Sequence, residues 1–366
     1  MSTGRTPSGS SGERESWADR AAETAIDAVV PWHMPARSLA LYARWWQLEN
    51  WLRQLAYTEL RAAHGISWVT HVKTAAGRSA GRQAIDSRYV HMASVDGDNP
   101  IAYLDYKELC RLITSNWELF DCALFDKESW EARQSELLQI RHRIGHMRRP
   151  HEDDLNRIEQ ILRDLERGTF ITLASYNRRY VPDPRKNSDP ITVAWIREED
   201  STAKDLINHA ARQYEIQTEI EVSRRPWAEW QDNLACARGI LWHVQFRARD
   251  RAIDIRSLWY SSYIKSIRPL IVHMLSGHPG QVEFTFSAVD DPRQISDAIE
   301  QTLKGVLRAS AVDRSSDYDE RRAEWSRGRD IDFRVLMETG WNIVDVTTLP
   351  ITNFNAGGSV ASAPEW

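Results

Sequence analysis

Apolar side chains recur every three or four positions through the first half of the chain, which is the spacing of an amphipathic α-helix. Three segments show it most clearly: Leu41, Trp45, Leu48, Leu52 and Leu55; Tyr106, Leu109, Ile113, Trp117 and Phe120; and Trp130, Leu137, Ile140, Ile144 and Met147. A further helix is predicted from 155 to 165, with Gly168 just past its end. The pattern predicts an all-helical bundle over residues 17–167.

A polar, glycine-containing stretch at about 66–100 interrupts these helices. It is predicted to be an inserted loop, with a short β-hairpin around residues 66–72. Ser129 is predicted to cap the helix that follows, and Arg149 with Pro150 to end it.

After Gly168 the pattern changes to short runs of β-branched and aromatic residues. Strands are predicted at 169–176, 191–196, 216–222, 240–246 and 282–286, and helices at 202–214, 251–275 and 294–308. The fold class predicted is therefore α+β multidomain, with a helical bundle followed by a mixed α/β domain at 168–352. The linker between the two parts is predicted near Gly168. Residues 181–190 and 313–330 are predicted to be exposed, and the two ends, 1–16 and 353–366, are predicted to be disordered.

Composition narrows the function classes. The chain is 42% hydrophobic and 27% charged, and it lacks the ~18 to 20 uncharged apolar residues of a membrane span. A cytoplasmic protein that does not enter a membrane is predicted. Its three cysteines have no CxxC spacing, and no Walker A or GxGxxG motif is present, so no metal and no cofactor are predicted. A net charge of -5 excludes a protein that coats nucleic acid with its whole surface.

The segment 140–150, with sequence IRHRIGHMRRP, carries the strongest chemical signal. At about 100° per residue, Arg141, His142, Gly145 and His146 share one face of a helix, whereas Ile140, Ile144 and Met147 lie opposite. Gly145 leaves a gap through which a phosphate backbone can approach the helix. An imidazole to move protons and a guanidinium to stabilise a pentavalent phosphorus are sufficient for RNA cleavage without a metal. The alternative is a solvated helix end, where the dipole favours cations.

The spacing of Arg141 and His146 fits an R-x4-H motif, and the pattern resembles the HEPN superfamily (higher eukaryotes and prokaryotes nucleotide-binding). Residues 41–53, LYARWWQLENWLR, resemble the first helix of one HEPN branch. Residues 103–109, YLDYKEL, with Ile113, Asn116, Trp117 and Phe120, resemble its middle helix. The resemblance covers roughly residues 35–167.

This resemblance implies an endoribonuclease domain that forms a homodimer, in which two R-x4-H motifs face one RNA cleft. Arg141 would polarise the scissile phosphate and His146 would act as general base or acid. His142 stands where the family more often has asparagine, and it either orients the substrate or hydrogen-bonds across the dimer. Arg143, Arg148, Arg149, Glu49 and Arg53 are assigned to substrate binding, with a solvated ion pair as the alternative for the last two.

The predicted function is metal-independent cleavage of RNA, tRNA among the candidates, to 2′,3′-cyclic phosphate ends. The resemblance implies a role in stress or anti-phage defence or as a toxin, with a regulatory or antitoxin partner on the C-terminal domain. The alternative is a catalytically silent HEPN-like module that binds RNA or protein.

Two competing motifs are weaker. Residues 77–81, GRSAG, match the G-x-S-x-G nucleophile elbow of α/β-hydrolases, but the segment before Ser79 is short and polar, and helices flank it instead of alternating βα units. His142 and His146, with His151 and Glu152 nearby, suggest a metal site, although the adjacent arginines would repel a cation. The aromatic and basic runs 241–247 and 258–260 are predicted to be core elements.

Overall fold

The computed structural model describes residues 34–75, 79–89, 96–312 and 331–337, together with Thr24, Ala25, Ala28 and Trp325. Its helices are α1 (Ala36–His64), α2 (Trp68–Ala75), α3 (Ser79–Asp86), α4 (Tyr106–Ser115), α5 (Lys127–Gly145), α6 (Asp154–Asp164), α7 (Glu166–Asn177), α8 (Ser201–Tyr214), α9 (Ile255–Tyr260), α10 (Ser262–Ile267) and α11 (Pro292–Ala309). Its strands are β1 (Arg179–Tyr180), β2 (Ile216–Arg224), β3 (Ile240–Ala248), β4 (Arg251–Ile253), β5 (Ile271–His278), β6 (Gln281–Ser287), β7 (Ser310–Val312) and β8 (Val335–Met337). The architecture is α+β.

Helix α1 is the central helix of the first half. It contacts α4, α5 and α6, and the five apolar residues that define its stripe, from Leu41 to Leu55, are buried. The helices predicted from this spacing are present, and α4 and α5 likewise bury Leu109, Ile113, Leu137 and Ile140. Helix α4 ends at Ser115, however, so Trp117 and Phe120, which were predicted to continue its stripe, lie beyond it. Burial of these stripes against one another is the main free-energy gain that holds the bundle together.

The second half is built on a six-stranded sheet of order β1-β2-β3-β6-β5-β8, in which only the β5 and β8 pair is parallel. Helices α8 and α11 pack on one face of the sheet, where Trp242 joins their apolar cluster. The neighbouring Leu241 points to the other face and joins the apolar core of the bundle. The strands predicted at 216–222, 240–246 and 282–286 and the helices at 202–214 and 294–308 are confirmed.

Polar groups also cross between the bundle and the sheet. The Tyr57 hydroxyl donates to the Val272 carbonyl at 2.8 Å, and Arg61 Nη2 donates to the Leu270 carbonyl at 2.8 Å. Glu59 forms a fully buried ion pair with Arg225. A buried charge is tolerated only when its partner is also present, so these pairs fix how α1 lies on the sheet.

Two predictions near the domain junction were wrong. Residues 169–176 belong to helix α7 and not to a strand, and Gly168 lies inside that helix instead of after its predecessor. A Cβ at Gly168 would lie 2.0 Å from the Ala123 carbonyl oxygen. Only glycine permits this close packing, and the tertiary packing of α7 outweighs the strand-favouring composition of the segment. The linker predicted near Gly168 therefore falls within an element.

Other differences have local causes. Residues 66–72 form the end of a 3₁₀ turn and the start of α2, because Trp68, Val72 and Ala75 bury a helical stripe. Residues 192–196 form a π-helical turn, which Asp189 caps by accepting from the backbone N–H groups of Ile191 and Thr192 at 3.0 Å each.

The long helix predicted over 251–275 is divided into β4, α9, α10 and the first part of β5. Pro269, which cannot sit inside a helix, separates α10 from β5. The predicted disordered ends, 1–16 and 353–366, and most of the charged segment 313–330 lie outside the described residues. None of the described helices is long and apolar enough to cross a membrane.

Candidate active site

The candidate site lies at the C-terminal end of α5, a helix fixed in the bundle along its length. Asp126, not the predicted Ser129, is its N-cap: the Asp126 carboxylate accepts from the Ser129 backbone N–H at 2.9 Å. Trp130, Leu137 and Ile140 are fully buried. Because its apolar stripe is anchored, the opposite face of α5 has a defined orientation.

Helix α5 ends at Gly145, four residues before the predicted stop, in a Schellman motif. The Met147 N–H donates to the Ile144 carbonyl at 3.1 Å and the Arg148 N–H donates to the Arg143 carbonyl at 2.8 Å. Met147 takes the left-handed conformation that the motif requires, with φ 51°. This reversal turns its side chain outward, so Met147 is 87% exposed and the prediction that it extends the buried stripe was wrong.

Arg141, His142 and His146 lie together on the outer face of this helix end. Both histidines are exposed, and their rings are nearly parallel with centroids 6.0 Å apart. The Arg141 Nη1 atom lies 3.6 Å from the position a Cβ would occupy on Gly145. The guanidinium therefore lies over the gap predicted at Gly145, at an ordinary van der Waals distance from it.

Arg141 has no hydrogen bond or ion pair within the part of the chain that the structure describes. Its positive charge acts on the carboxylate of Asp105, the N-cap of α4. Burial alone would raise the pKa of Asp105, but hydrogen bonds from the Glu108 backbone and Arg82, with the positive charges of Arg82 and Arg141, lower it. Arg141 thus faces the start of α4 and keeps its donors available to an added anion.

Arg143 is committed elsewhere. Its Nε donates to Asp154 Oδ2 at 2.7 Å, and its Nη2 pairs with Asp154 Oδ1. Asp154 is buried at the start of α6 and also accepts from the His151 N–H at 2.9 Å. Arg143 therefore ties the end of α5 to α6, and the structure does not direct it to the open face with Arg141.

Arg148 and Arg149 follow the helix and are exposed, and no ion pair involves them among the described residues. They add two unneutralised cations within a few residues of His146. Together with Arg141, they place three cations without a described ion-pair partner at this end of the bundle, next to the exposed carboxylates of Glu152 and Asp153. Three such cations can contact a polyanion at one place, although the whole chain carries a net charge of -5.

Glu49 and Arg53 are joined in the ion pair that the sequence offered as the alternative to substrate binding. Arg53 Nη2 lies 2.6 Å from Glu49 Oε1. Glu49 Oε2 also accepts from the indole N–H of Trp45 at 2.6 Å, and Arg53 donates to the Leu104 carbonyl at 3.4 Å. These contacts hold α1 against the segment that leads into α4.

The two competing motifs receive no support. Ser79 is preceded by helix α2 and begins helix α3, so the strand-turn-helix of a nucleophile elbow does not form in the described residues around it. His142 and His146 do not join a group of three metal-binding side chains there. The cluster that does form, His151, Glu152 and Asp153, lies on the exposed surface, where such acidic groups are common without an ion.

A polar array buried in the sheet was missed from the sequence. Ser223 Oγ lies 2.7 Å from His243 Nε2, and His243 Nδ1 lies 3.1 Å from Glu283 Oε1, with Arg179 paired to Glu283. Burial and the charge of Arg179 lower the pKa of His243 to about 4, so its ring is neutral at pH 7. The order serine, histidine, carboxylate is that of a hydrolase triad, but Ser223 is 0% exposed. Its position within a paired strand gives no access for a substrate.

In the sequence, this array is visible only as polar residues at alternate positions of β2, β3 and β6. The register of the three strands places those residues next to one another on one face of the sheet. No family model, curated protein or solved structure matches the chain. The chemistry assigned to the end of α5 therefore depends on its own residues: a guanidinium that no described residue pairs with, two exposed imidazoles and two further cations.

Proposed function

We propose that the protein is a metal-independent endoribonuclease whose active site is the Arg141, His146 face of α5. The observation that carries this proposal is the contrast on one helix end between Arg143, bound to Asp154, and Arg141, which has no ion-pair partner among the described residues and lies next to Gly145, the residue before His146. The HEPN-like spacing of Arg141 and His146 supports it, and so do the similar first and middle helices.

In the proposed reaction the ribose 2′-oxygen attacks the adjacent phosphorus and the bond to the 5′-oxygen breaks. A general base takes the 2′-OH proton, and a general acid gives a proton to the leaving 5′-oxygen. The products are a 2′,3′-cyclic phosphate and a 5′-OH. Arg141 stabilises the charge that develops on the phosphoryl oxygens.

One chain presents one R-x4-H face, whereas this reaction benefits from separate groups to accept and donate the proton. A second copy related by a twofold axis would supply the second His146 and a second Arg141. We therefore propose a homodimer with a composite site. His142, whose ring lies parallel to that of His146, would orient either the RNA or His146.

The sheet half is proposed to carry regulation, because residues 168–312 contain no second exposed set of catalytic groups comparable with the end of α5. Direct bonds from Tyr57 and Arg61 to β5 and the segment before it connect α1 to this half. A partner bound there, such as an antitoxin or a defence trigger, would act on the bundle through α1. Stress-response, anti-phage or toxin roles, and tRNA as one substrate, belong to the same proposal.

Cleavage of total RNA in the presence of EDTA tests the function. We expect products with 2′,3′-cyclic phosphate ends, no cleavage of DNA, and at least ~100-fold loss of rate in both Arg141→Ala and His146→Ala. His151→Ala is the matched control, since it removes an exposed histidine from the adjoining loop and should retain the rate. Activity that EDTA abolishes and zinc restores would overturn the proposal.

A second function is favoured by the position of the cations at a helix C-terminus, where the dipole stabilises them without any catalytic role. In that case the same face binds RNA or a protein without cutting. Undegraded RNA that the wild-type protein retains, and that Arg141→Ala releases, would identify this module.

A further inference from the structure

Two large aromatic side chains lie exposed side by side on the first turns of α1. Tyr42 is 47% exposed and Trp46 is 59% exposed, one turn apart, and their ring centroids are 6.3 Å apart at an interplanar angle of 31°. Single exposed aromatic residues are common on protein surfaces. An adjacent pair with both faces partly open is a larger apolar surface, and nothing in the catalytic proposal uses it.

The pair lies at the same end of the bundle as the candidate active site. Arg37, at the start of α1, donates to the Glu152 carbonyl at 3.0 Å, in the loop that follows α5. Further along, Trp45 packs on Tyr106 with centroids 4.8 Å apart, and the Tyr106 hydroxyl donates to Gln134 Oε1 at 2.9 Å. The beginning of α1 therefore lies beside the end of α5, and the two helices run antiparallel.

The pair also faces the same side of the bundle as Arg141. At about 100° per residue, Tyr42 and Trp46 lie about 60° and 100° from Trp45, toward α4, whereas Arg44 lies about 100° the other way, where it pairs with Glu159 of α6. The side chains of α5 face the same two sides: Arg143 points to α6, and Arg141 points toward the start of α4.

The start of α4 lies on the side of the bundle that the pair and Arg141 both face. Helix α4 begins at Tyr106, and the chain before it passes Arg53, whose Nη2 lies 3.4 Å from the Leu104 carbonyl, two turns further along α1. The carboxylates of this region are paired with other arginines: Asp105 and Glu108 lie 3.5 Å and 3.8 Å from Arg82, and Glu49 pairs with Arg53. An anionic strand that contacts Arg141 thus has an aromatic surface at its side.

We propose that Tyr42 and Trp46 form a stacking subsite for an unpaired base of the RNA strand whose phosphate Arg141 binds. This inference rests on the proposed function for the identity of the strand. The charge of the occupant follows from the cations Arg141, Arg148 and Arg149, and its flat apolar part follows from the two rings. Aromatic side chains stack on unpaired bases, whereas a base inside a duplex keeps its stacking faces covered. The substrate class is therefore a single-stranded loop or tail.

Binding measurements in the His146→Ala background test the subsite without cleavage. A fluorescein-labelled 12-nucleotide single strand and the same sequence in a duplex are titrated against Tyr42→Ala, Trp46→Ala and Trp46→Phe. We expect about 10-fold weaker binding of the single strand for each alanine variant, less than about 2-fold change for the duplex, and recovery with Trp46→Phe. Trp230→Ala is the matched control, because Trp230 is 53% exposed at the sheet edge and should leave both affinities unchanged.

Three results would overturn the subsite. The first is single-strand binding that the alanine variants leave unchanged while Arg141→Ala weakens it, and the second is an equal loss of affinity for single strand and duplex. The third is a change of oligomeric state in Trp46→Ala by light scattering, which would make the pair a subunit contact. The proposed function fails separately. If the unmutated protein binds the single strand through Trp46 but releases no cyclic-phosphate product, the subsite stands and the nuclease does not.

Discussion

Arg141 and Arg143 are two residues apart on α5 and point to opposite sides of the bundle. Arg143 is held by both carboxylate oxygens of the buried Asp154, and Arg141 lies against Gly145 with its donors unpaired by any described residue. Arg143 fixes the end of the helix, and Arg141 on the same helix end keeps its donors available to a ligand. Loss of the first should therefore affect the second.

Asp154→Ala tests this dependence. It leaves Arg143 without its partner and the His151 N–H without an acceptor, so we expect a loss of about 2 kcal/mol in the free energy of unfolding, moderated by the partial exposure of Arg143. RNA cleavage should fall as the end of α5 loses its attachment. The control is Asp164→Ala, which breaks the more exposed pair with Arg133 and should cost less than about 1 kcal/mol. Equal losses in urea unfolding would contradict the structural role of Asp154.

Gly168 offers a second stability test, because it is a helix-interior glycine that packs against backbone. A Cβ there would lie 2.0 Å from the Ala123 carbonyl oxygen. Gly168→Ala should therefore destabilise by more than about 2 kcal/mol, although alanine is the better helix former by roughly 1 kcal/mol. Gly81→Ala in α3 is the matched control, since no atom lies within 4 Å of its Cβ position, and it should stabilise. Thermal unfolding of the two variants shifts in opposite directions if this is correct.

The structural features that depend on local helical periodicity could be predicted from the sequence. The face shared by Arg141, His142 and His146 follows from the helical repeat, and the buried positions Leu137 and Ile140 followed with it. The ion-pair partners of the arginines could not be predicted from the periodicity, because Arg143 contacts Asp154 only through the packing of α5 on α6. Residues 169–176 were assigned to a strand because their composition favours one, and the contact of Gly168 with Ala123, which decides otherwise, joins residues far apart in the chain.

The buried histidines of the sheet should make the fold acid-sensitive. Burial is the main cause that lowers the pKa of His243 to about 4 and that of His273 to about 3, from about 6.5. Burial alone would raise the pKa of Glu283, but Arg179 and His243 lower it to about 2. The native protein thus keeps the imidazoles neutral where the unfolded chain protonates them, so unfolding takes up protons and stability falls as pH is lowered from 6.5 toward 4.

Urea unfolding at pH 7.5, 6.0 and 5.0 measures this effect. The slope from each histidine is small at pH 7.5 and rises to about 1.4 kcal/mol per pH unit near pH 5, and Glu283 adds its own loss below about pH 4.5. His273→Asn should remove one histidine's share of the slope, whatever it does to stability at pH 7.5. A slope unchanged in this variant would mean that His273 is protonated in the native protein.

Met147 carries backbone strain at the end of the candidate site. Its φ of 51° is the left-handed conformation that glycine adopts freely, and its exposed side chain gives little packing in return. Met147→Gly should stabilise the protein by about 0.5 to 1 kcal/mol, and Met147→Ala should leave stability nearly unchanged because alanine keeps the strain. Both variants should retain cleavage, since the Schellman hydrogen bonds use only backbone atoms. Destabilisation by glycine in chemical unfolding would show that Met147 is held by contacts of its side chain.

The composite site makes a quantitative prediction for mixed subunits. If cleavage needs Arg141 and His146 from two copies, a chain that carries both Arg141→Ala and His146→Ala should inactivate the wild-type chain with which it pairs. After co-refolding at fixed wild-type amount, an equal quantity of the inactive chain should lower activity to about one half and a ninefold excess to about one tenth, as random pairing in a twofold dimer requires. Light scattering should give twice the chain mass of 42.2 kDa. A chain that remains monomeric with and without RNA, and whose activity the inactive chain leaves unchanged, would cleave without a partner. The second proton-transfer group would then have to come from the same chain, and exposed His142 is the residue placed to supply it.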